Sequence, residues 1–370
     1  MASKFPQFDI AIIGAGPAGS AAAITAARYG ARVLLCEAGE FPRHKVCGEF
    51  VSAESLEVLC DLVCDVPGAQ RKLASAPAIN RVRFLLDRRS AAAPIEPPGL
   101  SLPRYDLDDL LWQGAHKAGV LAQSSCDVRA LQGDGPFQLD TNTGTFEAAA
   151  VIIAAGRWSR FRPKTLVPDG PKWIGLKAHF REMRPPSSSD LYFFNHGYCG
   201  VQPVADDIVN ACAMVRSDRA TALPEVFALH PLLAERSRNW QPVTEPVTTA
   251  PLIYRTPQPV VGNLLFAGDA AAFTDPFVGD GIAIALRTGQ LAARELQSFV
   301  RGKGALDAAL ASYRRKYEET FAPPIAAAAR IRKLMSWPKP AQFAVLEFLR
   351  LPGVVPYLFR RTRHIRQSAP

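Results

Sequence analysis

Residues 8–37 read FDIAIIGAGPAGSAAAITAARYGARVLLCE. The apolar run Ile10 to Ile13 has the composition of a buried parallel strand, and Gly14-Ala15-Gly16-Pro17-Ala18-Gly19 follows it at once. Pro17 lacks only the backbone N–H that a first helical turn leaves unpaired, and alanine-rich sequence continues to Arg28, so a helix opens at the turn. Each glycine has a mechanical reason: Gly14 permits the tight turn, Gly16 lets backbone approach a pyrophosphate, and Gly19 lets helix pack closely on strand. Ala15 and Ala18 complete the turn, whose helix N-terminus faces an anion. Ala31 to Cys36 forms the next apolar strand and ends at Glu37, 18 residues past Gly19, where an acid accepts hydrogen bonds from ribose hydroxyls. The stretch predicts a dinucleotide cofactor whose ribose carries no phosphate.

The chain has 370 residues, 48% hydrophobic and 21% charged, with a net charge of +9. That is ordinary for a globular protein with more than one core. The charge is uneven, since residues 330–370 hold nine Lys/Arg against the single acid Glu347. A nucleic-acid binder would spread basic residues over the body instead, so none is expected as a partner. Seven scattered cysteines without paired CxxC spacing predict a reducing compartment and no metal site; Cys60 and Cys64 are expected to be buried as small apolar groups. MASKFPQ leads directly into the first strand, and no apolar run reaches about 18 residues. The expected location is cytoplasmic, with peripheral membrane contact through the basic tail as an alternative to plain capping helices.

Downstream of Glu37 the chain reads AGEFPRHKVCGEFVSAESLEVL. A basic loop ending in KxCGE, after GxGxxG and an acid-terminated strand, resembles the geranylgeranyl reductase branch of the flavoproteins that also include hydroxylases of the p-hydroxybenzoate hydroxylase type and flavin-dependent halogenases. The resemblance implies FAD, with Lys45, Cys47 and Gly48 near the ribityl chain and flavin ring, and makes Cys47 and Glu49 the candidate catalytic residues. His44 is expected to face solvent. Ser52 is a candidate helix cap, and Asp106 another, ahead of Leu107, Leu110, Leu111 and Ala115. In the resembled family an arginine before that second helix contacts FAD, which is Arg104 here, and a backbone contact to adenine falls at Val128.

AAGRWSRFR at 154–162 is similar to the family's ADGxxSxxR element, with Gly156 retained and Ala155 standing for the acid. In the hydroxylases that acid bears on nicotinamide handling, so the electron donor or acceptor stays open; no second dinucleotide motif is present. GYCGVQP at 197–203 resembles the family's GYxWxxP wall with Gly200 for the tryptophan, and the halogenases' WxWxIP is absent. A second apolar strand delivers Gly268-Asp269, followed by Pro276, Gly279, Gly281 and Ile282. In the family this GDAA lies on the ribityl chain, and the PxxGxG loop presents amides to the flavin pyrimidine edge.

The expected architecture is α/β: a Rossmann-like FAD-binding domain (1–75, 101–165, 255–300) with an inserted antiparallel β-sheet substrate domain (76–100, 166–254) and a helical basic C-terminal region (301–370). Tyr192, Phe194, Tyr198 and Phe277 are the candidate substrate residues. Three functions remain open: a C=C reductase or dehydrogenase acting on a hydrophobic isoprenoid, polyketide or lipid-like molecule, an FAD monooxygenase, and a non-catalytic carrier of a prenylated partner.

Overall fold

The structure, a computed structural model, describes residues 5–162, 169–273, 277, 279–334 and 337–363. Strand Gln7–Ile13 lies at the middle of a parallel core, flanked by Val33–Cys36 and Gly144–Ile153, with Leu121–Gln123 and Leu264–Phe266 outside them. Its residues Ile10 to Ile12 are fully buried, which is why the run is continuously apolar. Val128–Gln132 and Phe137–Thr141 extend this sheet in antiparallel fashion from Gly144–Ile153.

Helix Pro17–Arg28 packs on this sheet and against the long helix Gly281–Val300. A Cβ on Gly289 would sit 2.0 Å from the Ala18 carbonyl oxygen, so the two helices touch backbone to backbone at that glycine. The second of these helices begins at Gly281, one residue before its expected start.

The second sheet is built from Phe50–Val51, Ala78–Leu86, Arg89–Ser101, Trp173–Arg181, Ser188–Phe194, Gly197–Ala205, Ile208–Arg216 and two short strands after residue 240. It is antiparallel apart from the parallel pairing of Ser188–Phe194 with Ala78–Leu86. One face packs on helices Leu223–Ala228 and Pro231–Arg236. The other face meets an apolar cluster to which the C-terminal helices contribute Leu346 and Val355. Among the described residues no helix is long and apolar enough to cross a membrane.

Several local expectations are corrected. Ser52 holds the N-cap position of helix Ala53–Leu62 as expected, but its hydroxyl bonds the Ser55 hydroxyl at 2.8 Å and caps no backbone N–H. The helix placed after Asp106 begins at Arg104, because Glu49 anchors the Arg104 N–H at 2.9 Å and leaves Asp106 in the first turn. Cys60 and Cys64 are exposed, the latter lying beyond the helix end, where the Arg28 guanidinium meets its sulfur at 3.5 Å.

Candidate active site

A cavity of about 1210 Å³ runs between the two sheets. Ligand pockets usually hold about 300–1,000 Å³, so this one has room for a cofactor and a substrate together. One end is lined by Gly14, Gly16, Pro17, Ala18, Glu37 and Val128, the other by Phe84, Leu191, Phe193, Tyr198, Phe277 and Leu346.

The glycine turn is shaped for a ligand at the first end. Gly14 has φ +98°, and a Cβ there would lie 2.6 Å from the Ala154 carbonyl oxygen; one on Gly19 would lie 1.7 Å from the Gly14 carbonyl oxygen. A Cβ on Gly16 would meet only Nη2 of Arg104, at 3.9 Å. Two glycines are therefore demanded by packing, and the third leaves bare backbone facing open space. Arg104 holds its guanidinium above that space through a bidentate pair with buried Asp108 at 2.7 and 2.6 Å.

Glu37 stands at the end of strand Val33–Cys36 as expected of a ribose-binding acid. Its oxygens already accept bonds from the Ala15 N–H (2.9 Å), the Gly39 N–H (2.9 Å) and Arg43 Nη1 (2.6 Å). Burial pushes its carboxyl up, but the Arg43 bond and the two amides outweigh this and hold it below the usual carboxylate range. Asp269 lies in the turn Gly268–Ala270 and also lines the cavity. Burial raises its carboxyl, opposed by Arg157 and Arg104. Arg157 stacks on Phe273 at 4.6 Å, bonds Thr249 Oγ1 at 3.1 Å, and had no role assigned from sequence. Ala155, Gly156, Gly279, Gly281 and Ile282 line the same region. Pro276 lies outside the described residues. An open cradle at a helix N-terminus, acids at two strand ends and a guanidinium over the turn fit an FAD.

The loop 43–49 forms the wall between the two ends. Lys45 projects into the cavity, where burial and Arg43 lower its ammonium below the usual lysine range. Cys47 Sγ accepts the Glu49 N–H at 3.3 Å, and its carbonyl accepts Asn210 Nδ2 at 3.0 Å. Burial pushes this thiol up, so it carries its proton at neutral pH. Gly48 has nothing within 4 Å of an added Cβ.

Glu49 lines the cavity, yet both its oxygens are committed. Lys177 Nζ donates to Oε1 at 2.6 Å, His179 Nε2 to Oε2 at 2.7 Å, and the Arg104 N–H to Oε1 at 2.9 Å. Glu49 is 0% exposed and takes φ +64°, a conformation a non-glycine residue keeps only when its surroundings fix it. Burial raises its carboxyl, but His179 and Lys177 prevail and hold it ionised. His44, Glu49 and His179 bring three ligand-type atoms within 4.8 Å of one another. The Lys177 ammonium already contacts Glu49 and lies 3.4 Å from His44 Nδ1, so the cation of this cluster is the lysine.

Two sequence expectations fail here. His44 does not simply face solvent: it is half-buried, 5.1 Å from the Tyr105 ring and 5.4 Å from that of His179, and lines the cavity. Tyr192 does not line the cavity. Strand alternation points Leu191 and Phe193 inward and Tyr192 to the opposite face, where its hydroxyl accepts Arg236 Nη1 at 3.0 Å. Phe194, Tyr198 and Phe277 all line the cavity. Lys177 and His179, missed from sequence, sit two apart on one face of strand Trp173–Arg181, a spacing that hides among apolar neighbours.

Residues 9–53 match the family described as FAD dependent oxidoreductase. The chain is 27% identical over 370 residues to a menaquinone reductase of Mycolicibacterium smegmatis, covering 90% of this chain and 85% of that one. It is 24% identical over 364 residues to a digeranylgeranylglycerophospholipid reductase of Methanocella arvoryzae, covering 89% and 88%. Its fold is that of the flavin-dependent brominase Bmp2, with a TM-score of 0.80 at 21% identity, covering 96% and 93%. With its N-terminal segment matched and these relatives spanning most of its length, the chain is an FAD-dependent oxidoreductase.

Proposed function

We propose that the protein reduces, or in reverse forms, a C=C bond in a hydrophobic isoprenoid, polyketide or lipid-like molecule. The observation that carries this reading is the far end of the cavity, walled by Phe84, Leu86, Leu191, Phe193, Tyr198 and Leu252 and closed by Leu346, Leu349 and Val355 of the C-terminal helices. Such a wall offers few polar partners, and burying a chain of CH₂ groups there contributes roughly 0.8 kcal/mol each. Two relatives whose names are those of reductases, one of menaquinone and one of an isoprenoid phospholipid, support the choice.

Glu37, Arg104, Gly16 and Asp269 would hold the FAD, whose chemistry when bound is hydride exchange. Cys47 and Gly48 would shape the place where substrate meets it, and Glu49 would fix that loop. The same apolar, basic C-terminal helices would bring the enzyme to the membrane or lipid that contains the substrate.

The reading divides from monooxygenation on oxygen. Reduced enzyme given a turned-over substrate and oxygen-18 gas is expected to yield product without the heavy isotope and to turn over anaerobically with a chemical reductant. One labelled atom per turnover would make it a hydroxylase or epoxidase.

A further inference from the structure

Adding two hydrogens across a double bond takes a hydride and a proton. On the reductase reading proposed above, on which this inference rests, a bound FAD would supply the hydride, and the proton must come from the chain. The two residues singled out from sequence are poorly placed for this. Glu49 is an ionised carboxylate with both oxygens occupied. The Cys47 thiol holds its proton tightly.

His44 differs from both, because it lines the cavity and has its Nδ1 3.4 Å from Lys177 Nζ. An ammonium only donates, so Nδ1 is the acceptor and the proton sits on Nε2 of a ring that lines the cavity. Likewise the Glu49 carboxylate only accepts, so His179 carries its proton on the Nε2 that faces it. Lys177 is 1% exposed and its charge is matched by Glu49, which makes a buried, charged proton source directly behind His44.

We propose that His44 delivers the substrate proton, with Lys177, held by Glu49 and His179, refilling it. The proton leaves His44 Nε2 for the substrate carbon while Lys177 Nζ–H passes its proton to Nδ1. The imidazole stays neutral in the other tautomer, and the lysine is left as an amine beside the Glu49 carboxylate. After product leaves, water in the emptied cavity returns one proton to Nε2, Nδ1 gives its own back to Lys177, and the starting state is restored.

The groups facing His44 are Lys177 and His179 from strand Trp173–Arg181, Glu49 from its own loop, and Tyr105 and Asp106 from helix Arg104–Lys117. Burial lowers the imidazole first, then Lys177 and His179, against a smaller opposite pull from the acids. A neutral ring at pH 7 is what a tautomer relay requires.

The test uses the full chain loaded with FAD and labelled with nitrogen-15 histidine, the His44 signals being assigned by their loss in His44→Gln. The expected result is an Nε2–H tautomer that titrates below the ordinary 6.5, and in Lys177→Met a midpoint moved upward with the tautomer preference lost. An Nδ1–H tautomer, or a midpoint that Lys177→Met leaves in place, overturns the relay. As a second readout, reduced holoenzyme is mixed with geranylgeraniol as the unsaturated probe. His44→Gln is expected to slow its reduction by about 10²–10⁴-fold, with FAD affinity within about two-fold of the parent and partial rescue by added imidazole. Parent-like reduction by His44→Gln also overturns the proposal. If the parent itself leaves the probe unreduced, the reductase reading is what fails, and the histidine titration still decides the relay.

Discussion

At Glu49 a single carboxylate ties together three distant parts of the chain: the loop that carries Cys47, the start of the Arg104 helix and, through Lys177 and His179, the substrate sheet. Removing its charge while Lys177 stays buried leaves an uncompensated ammonium, so Glu49→Gln is expected to destabilise the fold by about 3–5 kcal/mol. Lys177→Met in the same chain should recover part of that loss, and a denaturant double-mutant cycle measures the coupling. The pH dependence follows from the same side chains. Glu49 and Glu37 both have folded values below the ordinary 4.5. The stability they contribute is therefore complete above about 4.5 and is lost as pH falls through their lower folded values. Melting temperature against pH should stay level with respect to these groups down to that point and then drop. Glu49→Gln should drop less steeply, and an unchanged slope would remove Glu49 from the account.

Among the elements, the strand, glycine turn and helix at 8–37 were legible because each glycine there answers to a local geometric demand, and that demand separates two variants. Gly19→Ala places a methyl against the Gly14 carbonyl and is expected to prevent tight packing of helix Pro17–Arg28, with loss of both stability and FAD. Gly16→Ala meets nothing closer than an Arg104 nitrogen at 3.9 Å, so the melting temperature of the apoprotein should barely change while FAD affinity falls by on the order of ten-fold or more. Equal thermal losses in both would refute the division. What was not legible has equally physical causes. Lys177 lies in an apolar strand, 128 residues from the glutamate that explains it. The run Tyr192-Phe193-Phe194 has no polar alternation to say which rings face the cavity, so Tyr192 was assigned to the wrong side. The Arg104 helix starts early because of a tertiary bond from Glu49, a partner that local capping patterns cannot supply.

At the scale of the whole molecule, the C-terminal helices Lys339–Leu349 and Val354–Arg363 were read from sequence only as a helical basic tail, since apolar residues among arginines do not say what they pack against. Leu346, Leu349, Val355 and Leu358 line the cavity, so much of the apolar face is spent inside the protein. Trp337, Phe348, Leu351 and Tyr357 nevertheless remain 47–55% exposed, and Trp337 and Phe348 also border the cavity, placing large apolar side chains at its rim. Part of the basic charge is already matched, Lys339 by Asp87 and Arg350 by Glu347, so the electrostatic attraction is smaller than the count of cations alone implies. Each cation that faces the surface contributes about 1 kcal/mol, or roughly five-fold tighter binding to anionic than to neutral vesicles, and that preference should fade as salt shortens the screening length. Phe348→Ser with Leu351→Ser should weaken binding to both kinds of vesicle, since it removes the inserted apolar groups and leaves the cations. Vesicle flotation measures both effects. Equal recovery on neutral and anionic vesicles would remove the electrostatic part, and recovery untouched by the double serine variant would mean that the rim's apolar side chains serve the cavity alone.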